Sequence, residues 1–175
     1  DAIADGRLDV RIAVVISNVP DAGALARAPA AGIEALALDH RGSPSRDEYD
    51  RALARELRER GVELVCLAGY MRIVGAPLLE AFPNAILNIH PALLPAFRGL
   101  EAPRQALEHG VKIAGVTVHF VTAELDGGPI IVQRSVPVLD DDTPEILAAR
   151  ILVEEHRAFP EAVQMVLEGG WRIEG

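Results

Sequence analysis

The stretch Val62–Gly69, VELVCLAG, limits the possible folds more than any other. It is almost continuously apolar, yet far shorter than a membrane span. Such a run fits a strand buried on both sides of a parallel sheet. Its flanks support that reading. Before it, Ser45 and Glu48 form a capping box, Tyr49, Leu53 and Leu57 repeat at helical spacing, and Gly61 closes the helix. After it, residues 75–82, GAPLLEAF, read as a short helix and residues 85–90, AILNIH, as the next strand. Upstream, residues 1–6 read as the tail of a helix, 11–18 as a strand, 21–31 as an alanine-rich helix and 34–39 as a short strand. Residues 104–110 form a further helix. Thr143 caps a last helix with Pro144 in its first position; Pro160 breaks or restarts it, and Gly169 and Gly170 end it. Strands alternating with helices imply right-handed crossovers and an α/β, doubly wound, mostly parallel sheet.

Two runs depart from that alternation. Val116–Val121 and Ile130–Val136 flank a loop of Asp126, Gly127, Gly128 and Pro129. This is a hairpin, within residues 115–138, that adds antiparallel strands at one edge of the sheet. No repeat, low-complexity segment or linker is visible, so residues 1–175 read as a single domain. With 50% hydrophobic residues, the 175-residue chain can bury a sizeable core. The net charge of −9 leaves no electrostatic footprint for nucleic acid. No signal peptide is visible, and an incomplete start would hide one. The single cysteine, Cys66, cannot close an internal disulfide and reads as a small buried hydrophobe, which fits a reducing cytoplasm. Neither an HExxH motif nor a Cys/His cluster occurs, so no metal site is expected.

The chemistry-bearing stretch is AILNIHPALLPAFRG, residues 85–99. Alternation places Asn88 and His90 on one side of an extended chain, and Pro91 stops the strand directly after the histidine. An amide and an imidazole therefore sit side by side where a strand runs out, the end at which open α/β sheets bind ligands. A turn whose Asn and His only satisfy backbone groups is the plain alternative. His119 alternates within a strand and reads as structural, His109 suits a helix C-terminus, and His40 lies in a loop.

NIHPALLPAFRG followed by GVTVHFVTAELDGGPIIVQ resembles the phosphoribosylglycinamide formyltransferase family, and so do AGYMRIV (68–74), SRDEYDRAL (45–53) and VEEH (153–156). The resemblance runs from about residue 11 to the end of the chain. It implies a Rossmann-like formyltransferase fold. It also implies transfer of a formyl group from 10-formyltetrahydrofolate, as co-substrate, to the amine of glycinamide ribonucleotide in purine biosynthesis. Asn88, His90 and Asp126 match the family's catalytic residues. Formyl transfer passes through a tetrahedral centre bearing an oxyanion. Asn88 offers that oxygen a donor, His90 a hydrogen bond or proton, and Asp126, folded over His90, favours the imidazolium. Arg46, Met71, Arg72, Ile73, Val74, Asn88, Val121 and Leu125 match positions lining the folate pocket. Gly69, Pro91 and Glu155 match positions of the glycinamide site. Ala123 stands where many relatives carry a polar or acidic residue, which touches only the pocket rim.

One departure is large. The family opens with a strand and a GSGSN-type loop that grips phosphate at a helix N-terminus, and neither occurs in this sequence. The expectation is that about 15–20 further residues, a strand and a phosphate loop, precede Asp1. That strand would lie between residues 11–17 and 62–68. Three other functions compete. A formyltetrahydrofolate deformylase would use the same three residues to admit water, but usually carries a second histidine where this chain has Pro91. A transferase acting on methionyl-tRNA would usually need a basic RNA-binding domain. A folate-binding remnant without activity is the non-enzymatic reading. The partners expected are the two small-molecule substrates, with neither nucleic acid nor membrane; a homodimer is left open.

Overall fold

The computed structural model describes residues 1–169, and Gly170, expected to help end the last helix, lies outside them. The described residues group into two compact units. One comprises Val10–Val65 and Val74–Ala85. Here β1 (Val15–Ser17) pairs in parallel with β2 (Ala35–Ala37), and α1 (Gly23–Ala30) packs on both strands. The helix α2 (Arg46–Glu59) buries Tyr49, Leu53, Ala54 and Leu57 and packs against α3 (Ala76–Ala81). Ser45 caps α2 as expected, its Oγ accepting from the Glu48 N–H at 3.1 Å. Asp50 also lies on the buried face, and its Oδ2 accepts the Gly75 N–H at 2.6 Å, at the N-terminal end of α3. That hydrogen bond offsets part of the cost of burying a polar side chain.

The other unit comprises residues 1–9, 66–73 and 86–169. Its sheet has the order β3 (Val65–Leu67), β4 (Ile86–His90), β5 (Ile113–Phe120), β6 (Ile130–Pro137). The pairs β4–β5 and β5–β6 are antiparallel, so the expected hairpin forms one edge of the sheet. Phe120 N–H bonds to Pro129 O at 2.9 Å to close it. Gly128 permits this approach, because a Cβ there would stand 1.8 Å from the Phe120 carbonyl oxygen. The core is β5, buried from Ala114 to Phe120, beneath α5 (Pro144–Glu168), with α4 (Ala102–Glu108) packed on α5.

The α/β class and the antiparallel edge match the sequence reading; several details differ. Residues 1–6 form a turn ending at Gly6 rather than a helix. The strand at Val62–Gly69 narrows to β3 and is covered on one face only: Val65 and Leu67 are buried while Cys66 is exposed. Among the described residues β3 lies at one end of its sheet, next to β4. α5 continues through Pro160 without a break, held by its packing on β5 and β6.

Candidate active site

The site is built on the register of β4 against β5. Extended backbone puts Asn88 and His90 on one face, and antiparallel pairing sets His119 opposite Asn88 and Thr117 opposite His90. Four polar side chains thus share one face of two adjacent strands. His119 is 2% exposed, and its Nδ1 donates to the Phe120 carbonyl oxygen at 2.8 Å. That fixes the tautomer: Nε2 carries the lone pair and accepts from the Asn88 Nδ2 at 3.3 Å. Burial pushes the His119 pKa below its usual value, while its bond to Phe120 and the charge of Asp126 pull the other way. The ring is neutral near pH 7 and holds the Asn88 amide in one orientation.

Beyond His90, Pro91 ends the strand and residues 91–99 turn back on it. His90 Nε2 donates to the Phe97 carbonyl oxygen at 2.8 Å, and Nδ1 lies 3.5 Å from Asp126 Oδ2. Both ring nitrogens therefore face acceptors. The Asp126 carboxylate also accepts the Gly99 N–H at 2.8 Å and lies 3.8 Å from His119 Nε2. The side chains of His90 and Asp126 are 6% and 9% exposed. Both Phe97 (φ +55°) and Asp126 (φ +48°) occupy the left-handed region, which non-glycine residues enter at a cost and which clusters at functional sites. An Arg98–Glu124 ion pair ties the first loop to the second.

Of the other expected positions, Pro91 directly follows His90 and is half-buried. Gly69 is exposed with φ +64°. Glu155 is half-buried on α5; burial raises its pKa, and the charges of His156 and His90 oppose that shift. Met71, Ile73 and Leu125 present apolar side chains to solvent, at 73%, 55% and 52% exposure. Arg72 and Val121 are half-buried. Val74 and Arg46 belong to the other compact unit, where Val74 is buried and Arg46 is exposed at the start of α2, 3.9 Å from the Asp47 carboxylate.

Sequence reasoning missed His119 as a member of the cluster, along with the backbone groups of Phe97 and Gly99. The signal for His119 was present, since Thr117 and His119 alternate between Val116, Val118 and Phe120 just as Asn88 and His90 flank Ile89. Among the described residues, no group of three His, Cys, Asp or Glu is arranged to hold a metal ion, and no helix is long and apolar enough to cross a membrane.

A family profile described as Formyl transferase matches residues 1–163. A phosphoribosylglycinamide formyltransferase of Bacillus subtilis is 40% identical over 159 residues, covering 91% of this chain and 82% of that protein. The crystal structure of glycinamide ribonucleotide transformylase 1 from Symbiobacterium toebii superposes with a TM-score of 0.98 at 61% identity, over 99% of this chain and 82% of that one. The trifunctional purine biosynthetic protein adenosine-3 of Gallus gallus is 47% identical over 162 residues; the chain spans 93% of its own length there but only 16% of that much longer protein. The chain belongs to the formyl transferase family and, within it, to the phosphoribosylglycinamide formyltransferases.

Proposed function

We infer that this chain transfers a formyl group from 10-formyltetrahydrofolate to the amine of glycinamide ribonucleotide, giving formylglycinamide ribonucleotide and tetrahydrofolate. The carrying observation is that half-buried Asn88 meets His119 while the buried His90 side chain faces Asp126, in a chain of this family. One N–H of the Asn88 amide is spent on His119, and the other is available to an oxyanion, the interaction that grows most in the transition state. His90, set between Phe97 O and the Asp126 carboxylate, holds a proton beside the reacting groups. It serves the transfer from the attacking amine to the leaving nitrogen. Asp126 orients that ring and is itself oriented by Gly99 N–H. Glu155 takes the amine-bearing substrate, with Gly69 and Pro91 supplying backbone around it. When bound, 10-formyltetrahydrofolate supplies the formyl carbon. Met71, Arg72, Ile73, Val121 and Leu125 are the residues that would hold its pterin.

Residues 1–175 act in this reading as one formyltransferase domain in the cytoplasm. Incubation with 10-formyltetrahydrofolate, with and without glycinamide ribonucleotide, tests the assignment. Tetrahydrofolate release that depends on the ribonucleotide, with a formylated product by mass spectrometry, is the expected result. Release without the ribonucleotide would instead mean hydrolysis.

A further inference from the structure

We propose that Gln133 is a positioning residue for the reaction: through Thr117 and Leu94 it fixes the loop that presents Phe97 O to His90. Gln133 stands on β6, the outer strand, two strands away from His90. Its Nε2 donates to the Leu94 carbonyl oxygen at 3.0 Å and to Thr117 Oγ1 at 3.0 Å. Thr117 Oγ1 also accepts the Leu94 N–H at 3.0 Å and donates to the Ala92 carbonyl oxygen at 2.6 Å. One hydroxyl and one amide thereby gather three backbone groups of residues 92–94, immediately after His90. Thr117 is fully buried, so its hydroxyl has no water to turn to and its proton has one acceptor.

The loop needs such an anchor. Three residues beyond Leu94, Phe97 is held at φ +55°, outside the conformations an unconstrained side-chain-bearing residue prefers. That conformation aims the Phe97 carbonyl at His90 Nε2, 2.8 Å away, and two residues later Gly99 N–H reaches Asp126. Residues 92–99 thus run from a polar anchor on β5 and β6 to both members of the His90–Asp126 pair. Nothing in the reaction touches Gln133, so its contribution passes through the loop.

The proposal rests on His90 acting in formyl transfer. Gln133→Ala is the direct test, because Gln133 is on an exposed edge strand and its removal leaves the core intact. The expected result is a fall in kcat of about tenfold, with KM for both substrates within about twofold of the parent, as a small misplacement of a catalytic group predicts. Proton exchange at His90 Nε2, followed by NMR in the substrate-free protein, should quicken in the same variant. Thr117→Val should reproduce both effects and Thr117→Ser should restore them. An unchanged kcat, a change confined to KM, or an unaltered exchange rate overturns the proposal. If the parent protein transfers no formyl group, the functional reading fails by itself, and the exchange rate still decides whether Gln133 holds the loop.

Discussion

The two faces of the β4–β5 ladder are built from the same strands and held in different ways. One face carries Leu87, Ile89, Val116, Val118 and Phe120; the other carries Asn88, His90, Thr117 and His119. On the apolar face, attraction is non-directional and scales with area, so another side chain of similar volume serves nearly as well. On the polar face every group has a named partner, and replacing one leaves a specific atom unsatisfied. The first face should therefore govern stability and the second turnover.

The largest separation is expected from Leu87→Ala. Leu87 is fully buried, and its truncation should lower unfolding free energy by about 2–5 kcal/mol in urea melts, with kcat of the folded fraction preserved. A large kcat loss would mean the two faces are not independent. Asn88→Ala should do the reverse, cutting kcat by about 100- to 1,000-fold while folate binding, measured by titration, stays close to the parent. A loss under about tenfold would make Asn88 a structural turn residue.

His119→Phe sharpens the comparison by placing an apolar ring on the polar face. Turnover should fall less than in Asn88→Ala, because the amide remains but loses the acceptor that aims it. Acid stability should improve. Burial lowers the folded-state pKa of His119, so the unfolded chain binds the proton more readily, and the parent loses stability as pH falls below about 6.5. The variant lacks that contribution, so the drop in Tm between neutral pH and pH about 5.5 should shrink. An equal drop in both proteins would place the acid sensitivity elsewhere.

The smallest effect is expected at Glu155, on α5. Its raised pKa means that the folded state keeps the proton longer, so stability is greatest below about pH 4.5 and declines as pH rises through the folded-state value. Glu155→Gln should raise Tm slightly at neutral pH while raising KM for glycinamide ribonucleotide. A lower Tm would show that the ionised carboxylate has a stabilising partner.

What could be read from the sequence was local. Alternation within residues 85–90 put Asn88 and His90 together, and Asp-Gly-Gly-Pro between two β-rich runs gave the hairpin. The role of Asp126 came only with the resemblance, because a turn aspartate before two glycines looks the same wherever its carboxylate points. His119 escaped because its meaning depends on register, and pairing across strands is a property of two distant segments, not of either one. Pro160 was over-weighted as a breaker because the packing that holds α5 together around it lies on other elements.

Position 126 can also be viewed as a problem of available letters. A backbone at φ +48° admits glycine freely, and asparagine and aspartate more readily than other side chains. The neighbours then impose a second filter: one oxygen must take the Gly99 N–H while the group as a whole faces an imidazole with negative charge. Glycine has no oxygen to offer and asparagine no charge. Glutamate has the charge, but its extra methylene would displace the carboxylate from the Gly99 N–H. One steric and one electrostatic preference thus converge on aspartate at this position.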